Sequence, residues 1–480
     1  MAELVDDLAG LNVTPMRDQP FLVDPAHARR LVAGSAGLSL GVAGARHTQG
    51  GHCFVRDGRL LHTMGGLNAI GQPRPVEGHS HLALLHVEAG ATWEEIQRVV
   101  GPYGYAPMVQ QSSPFFSVGG SLGANCHGRD PRCGPLSCSV EDLTVLTGTG
   151  ELLTASRTVE SELFNAVIGG YGACGMVLSA TLRLVANSKL EYVGDWKRRE
   201  VDDYVHHLRD LASHPEVQLH YAWLNCVPGR FYEECLVADL KSQTAPDQLV
   251  PQTVFKEDEW GEGEILRAGW SAARRDMRAR RLVWEELCDL HLVNKDGRAG
   301  GKGHAAHRID WLRASVSFTA RRSPAAADIL QEYFVPLDAL PGMLGELRTI
   351  FQKASASLNV LSTTLRIVRR ERDDVVLSYC RGGDRVCIAV DAEAATTGSG
   401  EGRELDEEAR GAIQAATDAA LAHGGSWYLP YARVAGRAQM RAAYGTDRVE
   451  RLQAAIDRWN PAGAAGPHRF WNRFLGHYFD

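Results

Sequence analysis

The sequence predicts an α+β chain of two large units with a C-terminal segment returning to the first. Three observations lead there. At about 150 residues per domain, 480 residues are too many for one hydrophobic core. Up to residue 187 short apolar strands alternate with brief helical patterns, and beyond 188 glycine thins out and the apolar runs lengthen. The expected units are 15–187, 188–425 and 426–480.

In the first unit LSLGVAG, LLHVEAG, DLTVLTG and MVLSATLRLV are leucine-rich or β-branched runs closed by glycine or polar residues, and they read as strands. Helical patterns lie between them: PAHARRLVAG after Asp24, TWEEIQRVVG after Ala91, and VESELFNAVIGG. Thr92 followed by Glu95 has capping-box spacing, which starts a helix directly after a strand. In the second unit the expected strands are LHYAWLNCV, RASVSFTA, LNVLSTTLRIVRR and RVCIAVDAEA, with helices over 202–213, 263–291 and Glu404–His423. Long alternating strands separated by helices predict a large antiparallel sheet covered by helices on one side. Lys295–His304, KDGRAGGKGH, reads as a loop. The end of the chain holds YLPYARV, a helix from Thr446 to Asn460 and the aromatic run PAGAAGPHRFWNRFL, the kind of tail that docks elsewhere on a fold.

Composition narrows the function. Lys and Arg number 51 against 58 Asp and Glu, a net charge of −7, so no basic excess is present to neutralise nucleic-acid phosphates. No apolar run is long enough to span a membrane. The acidic start MAELVDDLAG and ten scattered cysteines point to reduced thiols and a cytoplasmic setting. Cys126, Cys133 and Cys138 are not spaced as zinc ligands and read as packed thiols, so no metal site is expected. Glycine is in excess, at 50 residues against the ~34 expected from a usual share of about 7%.

Much of that excess falls in three segments of the first unit. In the first, Gly41-Val-Ala-Gly-Ala-Arg-His-Thr-Gln-Gly-Gly-His52, a strand enters a turn with small residues at Ala43, Gly44 and Ala45, followed by Arg46, His47 and Thr48. Small side chains allow successive N–H groups to face one concavity and hold a diphosphate. The plainer alternative is a glycine turn with a surface histidine. The others are Ser117-Val-Gly-Gly-Ser-Leu-Gly-Ala-Asn-Cys-His-Gly128 and Phe164-Asn-Ala-Val-Ile-Gly-Gly-Tyr-Gly-Ala-Cys-Gly-Met-Val177. Three such loops at strand edges suggest a large planar or phosphorylated ligand.

These segments, with HVEAGATWEEI, SVEDLTVLTGTGEL and FWNRFL, resemble the vanillyl-alcohol oxidase / p-cresol methylhydroxylase flavoprotein superfamily, nearest its aldonolactone and alditol oxidase branch. The resemblance implies FAD in residues 15–187. By it, Ala43, Gly44, Ala45, Arg46, His47 and Thr48 wrap the diphosphate. Ser117, Gly119, Gly120, Gly123, Ala124, His127 and Gly128 line the flavin, with Gly175 and Val177 on the adenine side and Asn472 in the closing tail segment. Many relatives bond the first-loop histidine to the flavin 8α-methyl, which here is His47; His52 reads as solvated or supporting. Bicovalent relatives carry a cysteine where this chain has Ser113. In the alditol branch a Glu-x-Arg on a substrate-domain strand faces flavin and substrate; here it reads Thr364-Leu-Arg366, so the arginine is present and the glutamate is not. Arg366 is then a flavin-facing cation or a salt-bridged strand residue. Tyr431 and Arg433 are further polar candidates for the catalytic site, and no base is assigned. The implied activity is FAD-dependent removal of hydride from a CH–OH carbon of a sugar, aminocyclitol or glycosylated secondary metabolite, a polyhydroxylated small molecule. An NAD(P)H-dependent flavin reductase of the same fold and a non-enzymatic ligand-binding protein are the alternatives.

Overall fold

Asp24 accepts a hydrogen bond from the His27 N–H at 2.5 Å and starts the helix Pro25–Ala33. Thr92 and Glu95 form the expected reciprocal box, with Thr92 N–H donating to the Glu95 carboxylate at 2.8 Å. The helix Trp93–Val100 thus begins just after the strand His79–Glu88. These elements belong to a computed structural model that describes residues 3–192, 197–245, 247–255, 271–292, 305–313, 322–323, 325–371, 373–462 and 468–479. The Lys295–His304 loop and nearly all of RASVSFTA lie outside the described residues. The expected 263–291 helix is seen from Met277 to Leu292.

Six strands of the first unit form one antiparallel sheet with Gly175–Ala186 at its centre, paired to His79–Glu88 on one edge and Val140–Thr147 on the other. Beside it, Leu40–Ala43 runs parallel to Arg59–His62. This pairing ends where the first glycine loop begins, and so aims that loop.

In the second unit, eleven strands among the described residues make one antiparallel sheet. Its middle is Val217–Leu224, Leu358–Val368, Arg385–Thr397 and Ala326–Val335, in that spatial order. The helices Leu340–Lys353 and Glu407–Ala422 bury Met343, Leu347, Ala412 and Ala416 against it. The fold is α+β, with the large antiparallel sheet expected from the alternating strands.

The end of the chain, from Asn460 to Arg473, packs on the first unit, whereas Ser426–Trp427 pairs with Ala326–Val335 of the second sheet. Leu40 N–H donates to the Arg469 carbonyl at 2.7 Å, Trp471 N–H to the Leu40 carbonyl at 3.2 Å, and Arg473 N–H to the Phe54 carbonyl at 2.8 Å. Fully buried Asn460 donates to the carbonyls of Ala173 at 2.7 Å and Phe470 at 2.6 Å and accepts from the Phe470 N–H at 2.9 Å. Each bond satisfies a backbone group that burial would otherwise penalise. Among the described residues no helix is long and apolar enough to cross a membrane.

Candidate functional site

A cavity of about 400 Å³ lies between the glycine loops of the first unit and the second sheet. Its first wall is the turn after Leu40–Ala43. A Cβ on Gly44 would stand 1.9 Å from Ser117 Oγ, so only glycine lets the turn and the helix Val118–Gly123 come together. Arg46 takes a left-handed φ of 55°, which reverses the chain. The backbone N–H groups of Ala45, Arg46, His47 and Thr48 have no hydrogen-bond partner among the described residues. Clustered donors without acceptors, beside a cavity, form an anion-binding nest. His47 stacks on Phe116 with ring centroids 4.3 Å apart; its Nδ1 is buried without a partner, and burial lowers its pKa, favouring neutral imidazole.

The facing wall is set by strand register. Alternate side chains of a strand share a face, which groups Asp328, Leu330 and Glu332 with Ala389 and Asp391, and with Thr364 and Arg366. Glu332 pairs with Ala389, Leu330 with Asp391, and Arg366 with Cys387. The Glu332 carboxylate is 2.7 Å from His127 Nε2 and accepts from the Tyr431 hydroxyl at 2.7 Å. Burial would raise the Glu332 pKa, but His127, Arg366 and the Tyr431 bond outweigh it and hold it below the ordinary carboxylate value. Burial, then Glu332, pushes the Tyr431 phenol well above its usual range, so it stays protonated. Arg274 donates to Asp328 at 2.6 and 2.8 Å and to Glu393 at 2.8 Å. Among the described residues Arg366 makes no hydrogen bond or ion pair, and its Nε is buried.

Of the residues expected from the sequence, Ala43, Gly44, Ala45, Arg46, His47, Thr48, Ser117, Gly119, Gly120, Gly123, Ala124, His127, Gly175, Val177 and Asn472 all border this cavity, as do Arg366 and Tyr431. Two do not. Gly128 packs against the Gln110 backbone, where a Cβ would meet the carbonyl oxygen at 2.7 Å. Arg433 turns away to Asn12 Oδ1 and the Arg473 carbonyl, both at 2.9 Å, and serves the tail instead. Of the two readings of His52, solvated or supporting, the buried position fits the second: it borders the cavity, stacks on Phe474 at 4.4 Å, and burial drives its pKa down to about 3. All ten cysteines are free. Glu332, Asp328, Asp391 and Arg274 were not singled out from the sequence. A signal existed, since acidic residues recur at even spacings, four in AADILQEYFV and two in RVCIAVDAEA, inside otherwise apolar runs, and even spacing keeps them on one strand face.

The cradle fits a dinucleotide cofactor: unpartnered amides suit a diphosphate, and the glycine-floored cavity between two walls suits a flat ring system. Gly44→Val tests the cradle. Its first added carbon already collides with Ser117, and overpacking of about 1–3 kcal/mol corresponds to roughly 5- to 150-fold weaker cofactor binding. Fluorescence titration of apoprotein should read that loss; wild-type affinity in the variant would remove the turn from the site.

Comparison with known proteins gives the cofactor its name. Residues 29–156 match the FAD binding domain family. Cytokinin dehydrogenase 3 of Oryza sativa subsp. japonica is 31% identical over 183 residues, 37% of this chain and 34% of that protein. An uncharacterised oxidoreductase, ORF5 in the fasciation locus of Rhodococcoides fascians, is 28% identical over 242 residues, 46% of this chain and 52% of that protein. Cytokinin dehydrogenase 3 of Arabidopsis thaliana is 27% identical over 172 residues, 36% of this chain and 32% of that protein. The chain spans about a third to a half of the length of these relatives. What the matches share is the FAD-binding oxidoreductase superfamily, which is coarser than the aldonolactone and alditol branch. This α+β chain therefore carries an FAD-binding domain of the p-cresol methylhydroxylase type, and its cofactor is FAD.

Proposed function

We propose that the chain is an FAD-dependent oxidoreductase that removes hydride from a CH–OH carbon of a polyhydroxylated small molecule, a sugar, aminocyclitol or glycosylated metabolite. The observation that carries this reading is the meeting, in one cavity, of the amide cradle and a sheet face bearing Arg366, Glu332 and Tyr431. Bound FAD supplies the hydride acceptor. The unpaired guanidinium of Arg366 offers positive charge where negative charge develops. Glu332, kept ionised, is the base of a two-member relay: Tyr431 takes the proton of the substrate hydroxyl as it passes its own to Glu332 Oε1. His127 holds the other carboxylate oxygen and fixes its direction. Thr364 brings no carboxyl to this face, and Ala326–Val335, one strand beyond Arg385–Thr397, supplies one through Glu332.

An aerobic panel of polyols, sugars and aminoglycosides, followed by peroxide formation and by reduction of an artificial acceptor, tests the reading. Turnover of at least one alcohol supports it. Turnover confined to simple amines would favour oxidation at a CH–NH carbon, the reading that the cytokinin dehydrogenase relatives support.

His47 is proposed to carry FAD covalently. A buried neutral imidazole with a free nitrogen is a competent nucleophile toward the 8α-methyl carbon. The bond would replace a C–H bond of the 8α-methyl and the N–H bond of His47, with both protons lost to solvent and the bound FAD supplying the two-electron sink. Acid-precipitated wild-type protein should keep in-gel flavin fluorescence that His47→Ala lacks. Colour wholly in the supernatant would exclude the bond.

A further inference from the structure

We propose that Asp391 is a docking group for an ammonium, so that the molecule taken into the cavity is a polyol bearing an amine. The inference rests on the function proposed above only for the fate of the bound molecule.

Asp391 stands mid-strand in Arg385–Thr397, opposite Leu330 on one neighbour and Ser362 on the other. Asp391 borders the cavity and is half-buried there. Among the described residues it has no hydrogen bond and no ion pair. A half-buried carboxyl without a protein partner keeps its acceptor oxygens open to a donor that enters the cavity.

The surrounding charges favour a cation. Four carboxyl groups, Asp328, Glu332, Asp391 and Glu393, are grouped with two guanidinium groups, Arg274 and Arg366. Arg274 is shared by Asp328 and Glu393, and Glu332 is held by His127 and Tyr431. Arg366 influences Asp391 through space without touching it. Asp391 is therefore the acidic group left for an incoming donor. A bound anion would face the carboxyl excess, whereas an ammonium donating to Asp391 forms a charge-assisted hydrogen bond.

The same surroundings give binding a proton signature. Burial raises the Asp391 pKa, Glu332 and Asp328 add to this, and Arg366 and Arg274 oppose it. Cys226 and Tyr232 also lie within its electrostatic reach. The carboxyl is thus easier to protonate than an exposed one, and an ammonium docking on it drives off the proton it holds. A neutral hydroxyl does not.

Anaerobic calorimetry on the FAD-loaded protein, with glucosamine against glucose and 2-deoxystreptamine against myo-inositol, tests this. The amine of each pair should bind about tenfold or more tighter. Its binding enthalpy should change with the ionisation enthalpy of the buffer, reporting proton release. Asp391→Asn should abolish both effects while leaving the neutral partners within about twofold. Asp391→Ala should behave alike, with unchanged flavin absorbance certifying each fold. Equal affinity for amine and neutral partners, or equal loss of both in the variants, would overturn the proposal. Amine-selective binding with no flavin bleaching would uphold it while defeating the oxidoreductase reading.

Discussion

Tyr431→Phe is expected to slow flavin reduction by an alcohol about 10²- to 10⁴-fold, the usual range for removing a positioned acid or base, with FAD occupancy unchanged. The phenol is the group that donates to Glu332 Oε1, and the other carboxylate oxygen is taken by His127. Phenylalanine keeps the ring and its packing against Tyr428 but severs the path from substrate hydroxyl to carboxylate. The pH profile follows from the Glu332 pKa, which lies below the ordinary carboxylate value. Its base form is present through neutrality and is lost only as pH falls through that lowered pKa, so the acid limb should lie below the usual carboxylate range and vanish in Glu332→Gln. Stopped-flow reduction rates within about threefold of wild type in Tyr431→Phe would take the tyrosine out of the proton path.

Arg366→Ala should lower the rate of flavin reduction by roughly 10²- to 10³-fold, the scale of losing one preorganised electrostatic group. FAD affinity should change far less, because the amide cradle lies on the opposite wall. Arg366→Lys should recover part of the rate by restoring charge without the planar fork. A reduction rate unchanged within about threefold, under ~0.7 kcal/mol of transition-state stabilisation, would return Arg366 to a structural role.

Local features were the ones legible in the sequence. The Thr92–Glu95 box and the helix after Asp24 depend on a few neighbouring residues, and the structure carries each where it was read. Glu332 and Asp391 escaped notice because their meaning lies in strand pairing. Leu330 meets Asp391, and Glu332 meets Tyr431, only once segments 60 to 100 residues apart are aligned. Arg433 was expected beside the substrate from its place in the segment matched by resemblance, but the chain turns there and sends the guanidinium to Asn12 and Arg473. For His52 the solvated reading stayed open because the burying ring, Phe474, comes from the far end of the chain.

The central claim is that FAD bound against the amide cradle receives hydride from an alcohol held on the Arg366–Glu332 face. The most direct test is the anaerobic half-reaction: the FAD-loaded protein is mixed with the polyol, sugar and aminoglycoside panel while its visible spectrum is recorded. The oxidised flavin spectrum should bleach with at least one alcohol, return on adding an electron acceptor, and bleach far more slowly in Tyr431→Phe and Arg366→Ala. A flavin that no alcohol reduces, or one reduced equally fast in both variants, would contradict that claim.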